Sequence, residues 1–433
     1  MNQQVYFVGT DSEIGHHAAP LKGLVDFKIV EPENSDVIQP GDLAVFYSEH
    51  FERFRNAIRK LQERDVATLY MIDGILEWRN AWENRDDEPA CPFTMRPVLC
   101  DKVACIGRSQ AQVLASWGNE SKIEVVGVPR FDTLQNLQPK KGNAKKRVLV
   151  MSAKCPAFDQ QQRAQIVASL RDLKAELDSR DVEVVWRLTA GLTEEIGAAT
   201  DQTNTTDFTG RQLAEVLQQV DAVVTTPSTA MLEAMLLDLP VAILDYTNSP
   251  SYVHSAWRIS ADGQMAQALS ELLEPTETKL VLQRYLLDEA LFVVGSASER
   301  MQKLINDMLE VTALAINNQT AIEFPAGMLP YPAWASADSV GFDHKTLFPY
   351  AAFQSNDSIA VQADLAHARR EIEHLHHEIA QLQSELGQAH EIFEEIHRHP
   401  VAGPIVRTRQ RIIDFFKRIR KSGNATSSGA VGQ

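Results

Sequence analysis

Cysteine is scarce and unpaired in spacing: Cys91, Cys100, Cys105 and Cys155 are the four in 433 residues. No C-x-x-C pair occurs, so neither a disulfide framework nor a zinc site is suggested, and these read as buried thiols. Positive charge is also short. Lys and Arg total 42 against 58 Asp and Glu, a net charge of −16 that argues against a general nucleic-acid binder and confines any basic function to a local patch. No apolar run approaches the length of a membrane span. The opening MNQQVYFVGTDSE lacks a basic n-region and a long apolar core, so a cytoplasmic location is expected. A D-x-D pair is missing as well, which weakens a metal-bridged diphosphate mechanism. Asp86-Asp87-Glu88 stands nearest to one, in a polar context that reads as a solvated loop, and neither metal nor cofactor is expected.

What is present is alternation. From residue 1 to about 310, short apolar runs alternate with helical patterns, the signature of parallel α/β architecture. Val5 to Val8, Leu43 to Tyr47, Thr68 to Ile72, Lys102 to Ile106 and Ile123 to Val126 read as strands, with Phe51 to Arg64 and Ser109 to Trp117 as helices. The polar, basic run from Gln138 to Lys146 reads as an interdomain linker. A second unit follows: strand Arg147 to Met151, helix Gln160 to Leu177, strand Glu183 to Leu188, helix Arg211 to Val220, then Asp221 to Asp245. Helices Leu280 to Leu291 and Ser298 to Leu314 close the series. The expected domains are 1–138, 145–315 with bracing helices, and a connector over 316–360.

Asp221 to Asp245 reads as strand, anion-binding loop, helix and strand. Ala222 to Val224 ends in hydroxyls. Either Thr226 caps the helix with Pro227 at its first position, or Ser228 does, and both leave backbone N–H groups pointing out of the loop. Ligands of open α/β sheets sit beyond the carboxyl ends of strands. In the second unit those ends carry Ser152 and Lys154, Arg187 and Thr189, and Ser228 and Thr229. Hydroxyls and cations on one edge suit a diphosphate, and Glu233 within the helix suits ribose hydroxyls. On the first unit's edge, Asp73 follows Leu69 to Ile72 directly and Glu77 stands one turn later. Either carboxylate can deprotonate an acceptor hydroxyl, and Asp73 is the expected base. His16-His17, read as lying in the loop after the first strand, is a further candidate. Trp78 and Trp82 offer apolar faces for a sugar ring, or core packing.

Leu213 to Leu244 resembles the donor-binding region of GT-B glycosyltransferases, particularly bacterial surface-polysaccharide enzymes and their CDP-glycerol glycerophosphotransferase relatives. Ser228, Thr229, Glu233 and Pro240-Val241 occupy the places of the S-S or S-T pair, the helix glutamate and the proline-valine strand. Ile106-Gly107-Arg108-Ser109 and Val126-Gly127-Val128-Pro129-Arg130-Phe131-Asp132 resemble the end of the amino-terminal domain. One element departs: Arg187-Leu188-Thr189-Ala190 stands where relatives often carry K-x-H-P. The resemblance implies two Rossmann-like domains facing a cleft, with a nucleotide-sugar donor as co-substrate on the carboxyl-terminal domain and a saccharide or lipid-linked acceptor on the amino-terminal one. It leaves open glycosyl transfer, glycerophosphate transfer and sugar-nucleotide epimerisation, and a non-catalytic scaffold remains the rival from outside the enzymes.

Residues 361–399 carry five unbroken heptads, with Leu365, Ile372, Ile379, Leu386 and Phe393 at a and Ala368, Leu375, Leu382, Ala389 and Ile396 at d. This favours a parallel two-stranded coiled coil and a homodimer. Over 404–421, Ile405, Ile412, Phe415, Phe416 and Ile419 face one side of a helix and Arg407, Arg411, Lys417, Arg418 and Lys421 the other. That suits an anionic membrane surface, with RNA or a protein partner as the rival reading. Residues 422–433 read as a disordered tail.

Overall fold

The alternating pattern builds two parallel sheets. The computed structural model describes residues 3–78, 94–134, 137, 145–189, 191–198, 210–330, 381, 382 and 414. The chain divides into a unit from Met1 to Phe353 and a second from Gln354 to Gln433. Gln381, Leu382 and Asp414 are helical. The rest of the expected coiled coil, and of the basic helix, lies outside the described residues, as do the tail and most of the connector. No described helix is long and apolar enough to cross a membrane.

In the first sheet β1 (Val5–Val8), β2 (Phe27–Val30), β3 (Leu43–Phe46), β4 (Ala67–Met71), β5 (Lys102–Cys105) and β6 (Ile123–Val125) stand in the order β2-β1-β3-β4-β5-β6. Every pairing is parallel. Side chains alternate across it, as strand geometry requires. Val8, Phe46 and Val103 pack on one face with Phe54, Ile58 and Leu61 of α2 (Glu52–Gln62) and Leu114 of α3 (Arg108–Leu114). Phe7, Val45 and Leu69 pack on the other with Ile14 and Ala18 of α1 (Asp11–Ala18).

The second sheet holds β7 (Lys146–Met151), β8 (Val182–Arg187), β9 (Ala222–Thr225), β10 (Val241–Leu244) and β11 (Trp257–Ile259) in the order β11-β10-β9-β7-β8, again parallel throughout. Its faces are covered by α4 (Gln160–Asp178), α5 (Leu192–Ile196), α6 (Gly210–Leu217), α7 (Ala230–Leu236) and α8 (Met265–Leu273). Asp159 caps α4 by accepting from the Gln162 N–H at 2.7 Å.

Two last helices tie the sheets together. α9 (Glu277–Ala290) packs beside the second sheet through Leu287 and Ala290. The chain then crosses over, and α10 (Ala297–Asn318) buries Met301, Leu304, Ile305 and Met308 completely against the first sheet. At about 2 kcal/mol per buried side chain, an upper bound, that stripe is a substantial anchor. Asp132 receives the start of α10, accepting from Ala297 N (2.9 Å), Ser298 N (2.9 Å) and Ser296 Oγ (2.8 Å). Gly107 fits because a Cβ there would stand 2.3 Å from the Ala290 carbonyl.

Three elements depart from the sequence reading. β2 was absent from it because Phe27–Val30 is a half-exposed edge strand with Lys28 in its middle. β11 is only three residues long. The segment with His16 and His17 is the helix α1 rather than a loop; its signal is the Thr10–Glu13 box, in which the Glu13 carboxylate accepts from Thr10 N at 3.0 Å.

Candidate active site

Residues just beyond β4 and β6 meet residues just beyond β9, so the carboxyl ends of the two sheets form one site. Gly74 lets the chain come close: an added Cβ would stand 2.3 Å from Thr229 Oγ1. The Ile75 N–H donates to that hydroxyl at 3.1 Å, and Gln110 Nε2 donates to the Gly74 carbonyl at 2.9 Å. Thr229 is therefore committed to the junction between the two sheets.

Four side chains from four elements cluster beside this contact. His17, in the last turn of α1, places Nδ1 2.7 Å from Asp73 Oδ2. Nδ1 is buried and makes no hydrogen bond to any other described residue. Arg130, in the turn after β6, donates from Nη1 to Glu233 Oε1 of α7 at 2.7 Å, and its Nε lies 3.9 Å from Asp73 Oδ2. Glu233 Oε2 accepts no hydrogen bond among the described residues. The His16 ring stands 3.5 Å from that of His17, centroid to centroid. His16, His17 and Asp73 each offer a ligand atom, all within 4.8 Å of one another, a grouping able to hold a metal ion.

The electrostatics separate these groups. Burial alone would raise the Asp73 carboxyl, but the charges of His17, Arg130 and His16 outweigh it and bring the pKa down to about 2. His16 stays open to solvent at the cleft. Even so, desolvation by the surrounding protein, then His17, Arg130 and Lys154, lower its pKa to about 4 against the pull of Asp73. Glu233 is raised by burial, with Arg130 and then Arg187 opposing the rise and Asp73 adding to it. At neutral pH, Asp73 is an ionised acceptor and His16 a neutral, weakly basic imidazole.

On the second sheet the candidate hydroxyls bond one another. Ser152 Oγ accepts from Thr189 N at 2.8 Å, and Thr189 Oγ1 donates to the Ala153 carbonyl at 2.6 Å. Thr226 Oγ1 accepts from Ala153 N at 2.8 Å, and Ser228 Oγ lies 3.2 Å from Thr225 Oγ1. The helix start differs from the expectation. α7 begins at Ala230 with Thr229 at its N-cap and no side-chain cap bond, because Thr226 is taken up by Ala153 and Ser228 by Thr225. Arg187 is 2% exposed and acts electrostatically on Glu233 from within the protein, whereas Lys154 is exposed and within electrostatic reach of His16. Glu77 is bridged through its backbone to Ser251. Arg130 was read in the sequence only as part of a motif; its partner Glu233 lies 103 positions later.

Residues 108–247 match the family described as "Putative glycosyltransferase (DUF6716)", bearing out the resemblance read from Leu213 to Leu244. No curated protein matches the chain. Among solved structures, similarity extends to the Staphylococcus aureus MnaA–UDP complex (14% identity, TM-score 0.49, covering 75% of this chain and 100% of that one). The wall teichoic acid polymerase TagF is similar at 14% identity and TM-score 0.49, over 71% of this chain and 89% of that one. The Methanocaldococcus jannaschii UDP-GlcNAc 2-epimerase, in complex with UDP-GlcNAc and UDP, reaches 14% identity and TM-score 0.48, over 70% and 99%.

Proposed function

We propose that the protein transfers a sugar from a nucleotide-sugar donor to an acceptor hydroxyl of a cell-surface polysaccharide or glycolipid, at the cytoplasmic face of the membrane and without a metal. The observation that carries this reading is the charge cluster in which His17, Asp73 and Arg130 of the first sheet meet Glu233 of the second. The family match over 108–247 supports the transferase class.

Roles follow from the electrostatics. A carboxylate with a pKa near 2 is a poor proton acceptor at neutral pH, so the base is the His17 imidazole and Asp73 stabilises the imidazolium that forms. The acceptor oxygen bonds to the anomeric carbon, the bond from that carbon to the donor diphosphate breaks, and the hydroxyl proton passes to His17. Lys154 and the outer edge of Arg130 balance the leaving diphosphate. Ser152, Ser228 and Thr229 hold the loops in register. Glu233, kept in place by Arg130 and backed by Arg187, accepts from donor hydroxyls through Oε2.

The test is product analysis with nucleotide-sugar donors and a crude lipid-linked acceptor. Acceptor-dependent release of a nucleoside diphosphate is expected. Release of a monophosphate identifies glycerophosphate transfer instead, and absence of any nucleotide binding removes the enzymatic reading. The reading extends to the carboxyl-terminal region, with residues 361–399 pairing two copies and 404–421 docking on anionic lipid. Truncation after residue 360 is expected to halve the particle mass and abolish flotation with anionic vesicles; unchanged mass and flotation would remove both roles.

A further inference from the structure

The first sheet's edge carries a ligand set that proton transfer does not exhaust. His16, His17 and Asp73 each bring a donor atom to within 4.8 Å of the other two. Successive residues of a helix do not ordinarily face the same way. In the last turn of α1 they converge, with ring centroids 3.5 Å apart. The His17 ring also lies 24° from parallel to Tyr47, at 5.9 Å, and Tyr47 is in turn hydrogen-bonded to Glu13 of the same helix. The ring is thus held in place from its own helix. Its buried Nδ1 faces Asp73 Oδ2 at 2.7 Å and hydrogen-bonds to no other described residue.

Two imidazoles and one carboxylate form a ligand set used by zinc and ferrous iron, and imidazole nitrogen discriminates against magnesium and calcium. Three protein ligands leave a fourth position for water, and exposed His16 opens that position to the cleft. Ligand atoms around a tetrahedral zinc stand about 3.3 Å apart, so the His17–Asp73 gap widens by roughly half an ångström on binding. The nearby Arg130 does not cancel the attraction. It donates to Glu233 at 2.7 Å and stands farther from Asp73, 3.9 Å from Oδ2, so one pair is balanced and the Asp73 charge is left over.

We propose that His16, His17 and Asp73 bind one divalent transition-metal ion, and that the bound ion stops transfer by occupying the groups that receive the acceptor proton. The site stands on its geometry alone, whereas the block rests on the assignment of His17 as the base. A metal on one ring nitrogen leaves the neutral imidazole's proton on the other. Neither nitrogen then accepts a proton from the acceptor hydroxyl, and the metal-free protein is the active form.

Calorimetric titration of the full chain with zinc chloride, beside magnesium chloride, tests the site. Other histidines, His374, His376 and His377 among them, also offer imidazoles, so the readout is the difference between wild type and variants. His16→Asn, an exposed substitution, and His17→Gln should each lose one zinc equivalent or bind it at least about 100-fold more weakly, since even an outer-shell partner costs up to that much. Unchanged zinc binding in both variants, or the same variant-sensitive equivalent with magnesium, overturns the site and leaves the transfer reading untouched. Turnover with and without a chelator tests the block. Zinc at one equivalent should inhibit the wild type, the chelator should restore it, and His16→Asn should need correspondingly more zinc for the same fractional loss of its own metal-free rate. Zinc bound at the cluster with no loss of turnover keeps the site and removes His17 as the base. A rate that rises with zinc overturns the block.

Discussion

The carboxyl edges of the two sheets face each other but are built from different materials. The first carries groups that titrate or hold charge: His16, His17, Asp73 and Arg130. The second carries hydroxyls bonded to backbone and to each other, with Lys154 outside them and Arg187 buried beside Glu233. Hydroxyl lattices of this kind fix loops at little electrostatic cost, whereas a cluster of unlike charges sets proton affinities. On the proposed reading, proton chemistry belongs to the first edge and donor placement to the second.

The sharpest way to break that division is to remove one group from each side. Asp73→Asn or His17→Gln should lower kcat by roughly 10²–10⁴, the span of a lost general base, with donor affinity nearly unchanged. The double variant should be little worse than either single one, because the two act as a unit. Ser152→Ala should instead leave kcat within a few-fold and cost about 1 kcal/mol of stability through the Thr189 N–H it strands. Steady-state kinetics with urea unfolding separates the cases, and a Ser152→Ala loss in kcat as large as that of Asp73→Asn would erase the distinction.

Arg130 sits where the two edges join, so its loss probes both. Arg130→Met leaves the 5%-exposed Glu233 carboxylate without its partner. The expected cost is about 3 kcal/mol, since a buried charge stripped of its counter-ion keeps its desolvation penalty. Pairing it with Glu233→Gln should recover more than half of that loss in urea unfolding. No recovery would mean that Arg130 stabilises through Asp73 or Phe131, whose ring it covers at 4.3 Å.

Much of the fold was legible because buried parallel strands are continuous apolar runs: Leu43–Phe46 and Val241–Leu244 are each buried throughout. Phe27–Val30 and Trp257–Ile259 were not, since edge strands need no such run. Asp73 was readable from its place after a strand. Its pairing with His17 was not, because that depends on where the last turn of a short, weakly amphipathic helix falls. Ser152, Ser228 and Thr229 were read as phosphate ligands from type and position. Sequence does not reveal that Thr189, Thr225 and the Ile75 N–H already occupy them.

The smallest expected effect isolates His16, exposed at the first edge. Its ordinary pKa is 6.5 and its native value about 4. At pH 7 it is neutral folded or unfolded, and its contribution is fully present. As pH falls below 6.5 the unfolded chain binds a proton that native His16 refuses, so stability declines until about pH 4, where both states are protonated. Asp73 follows with the next window: its contribution is present above the ordinary 3.8 and is lost as pH falls through about 2. His16→Asn should therefore flatten the stability profile between pH 6.5 and 4 and leave the lower limb in place. Solvent exposure keeps the change small, so it is best read as the difference in urea midpoint between wild type and variant at matched pH. Equal slopes across that window would mean that native His16 accepts its proton at an ordinary pH and stands ready as a base, moving proton chemistry from His17 to the outer rim of the same edge.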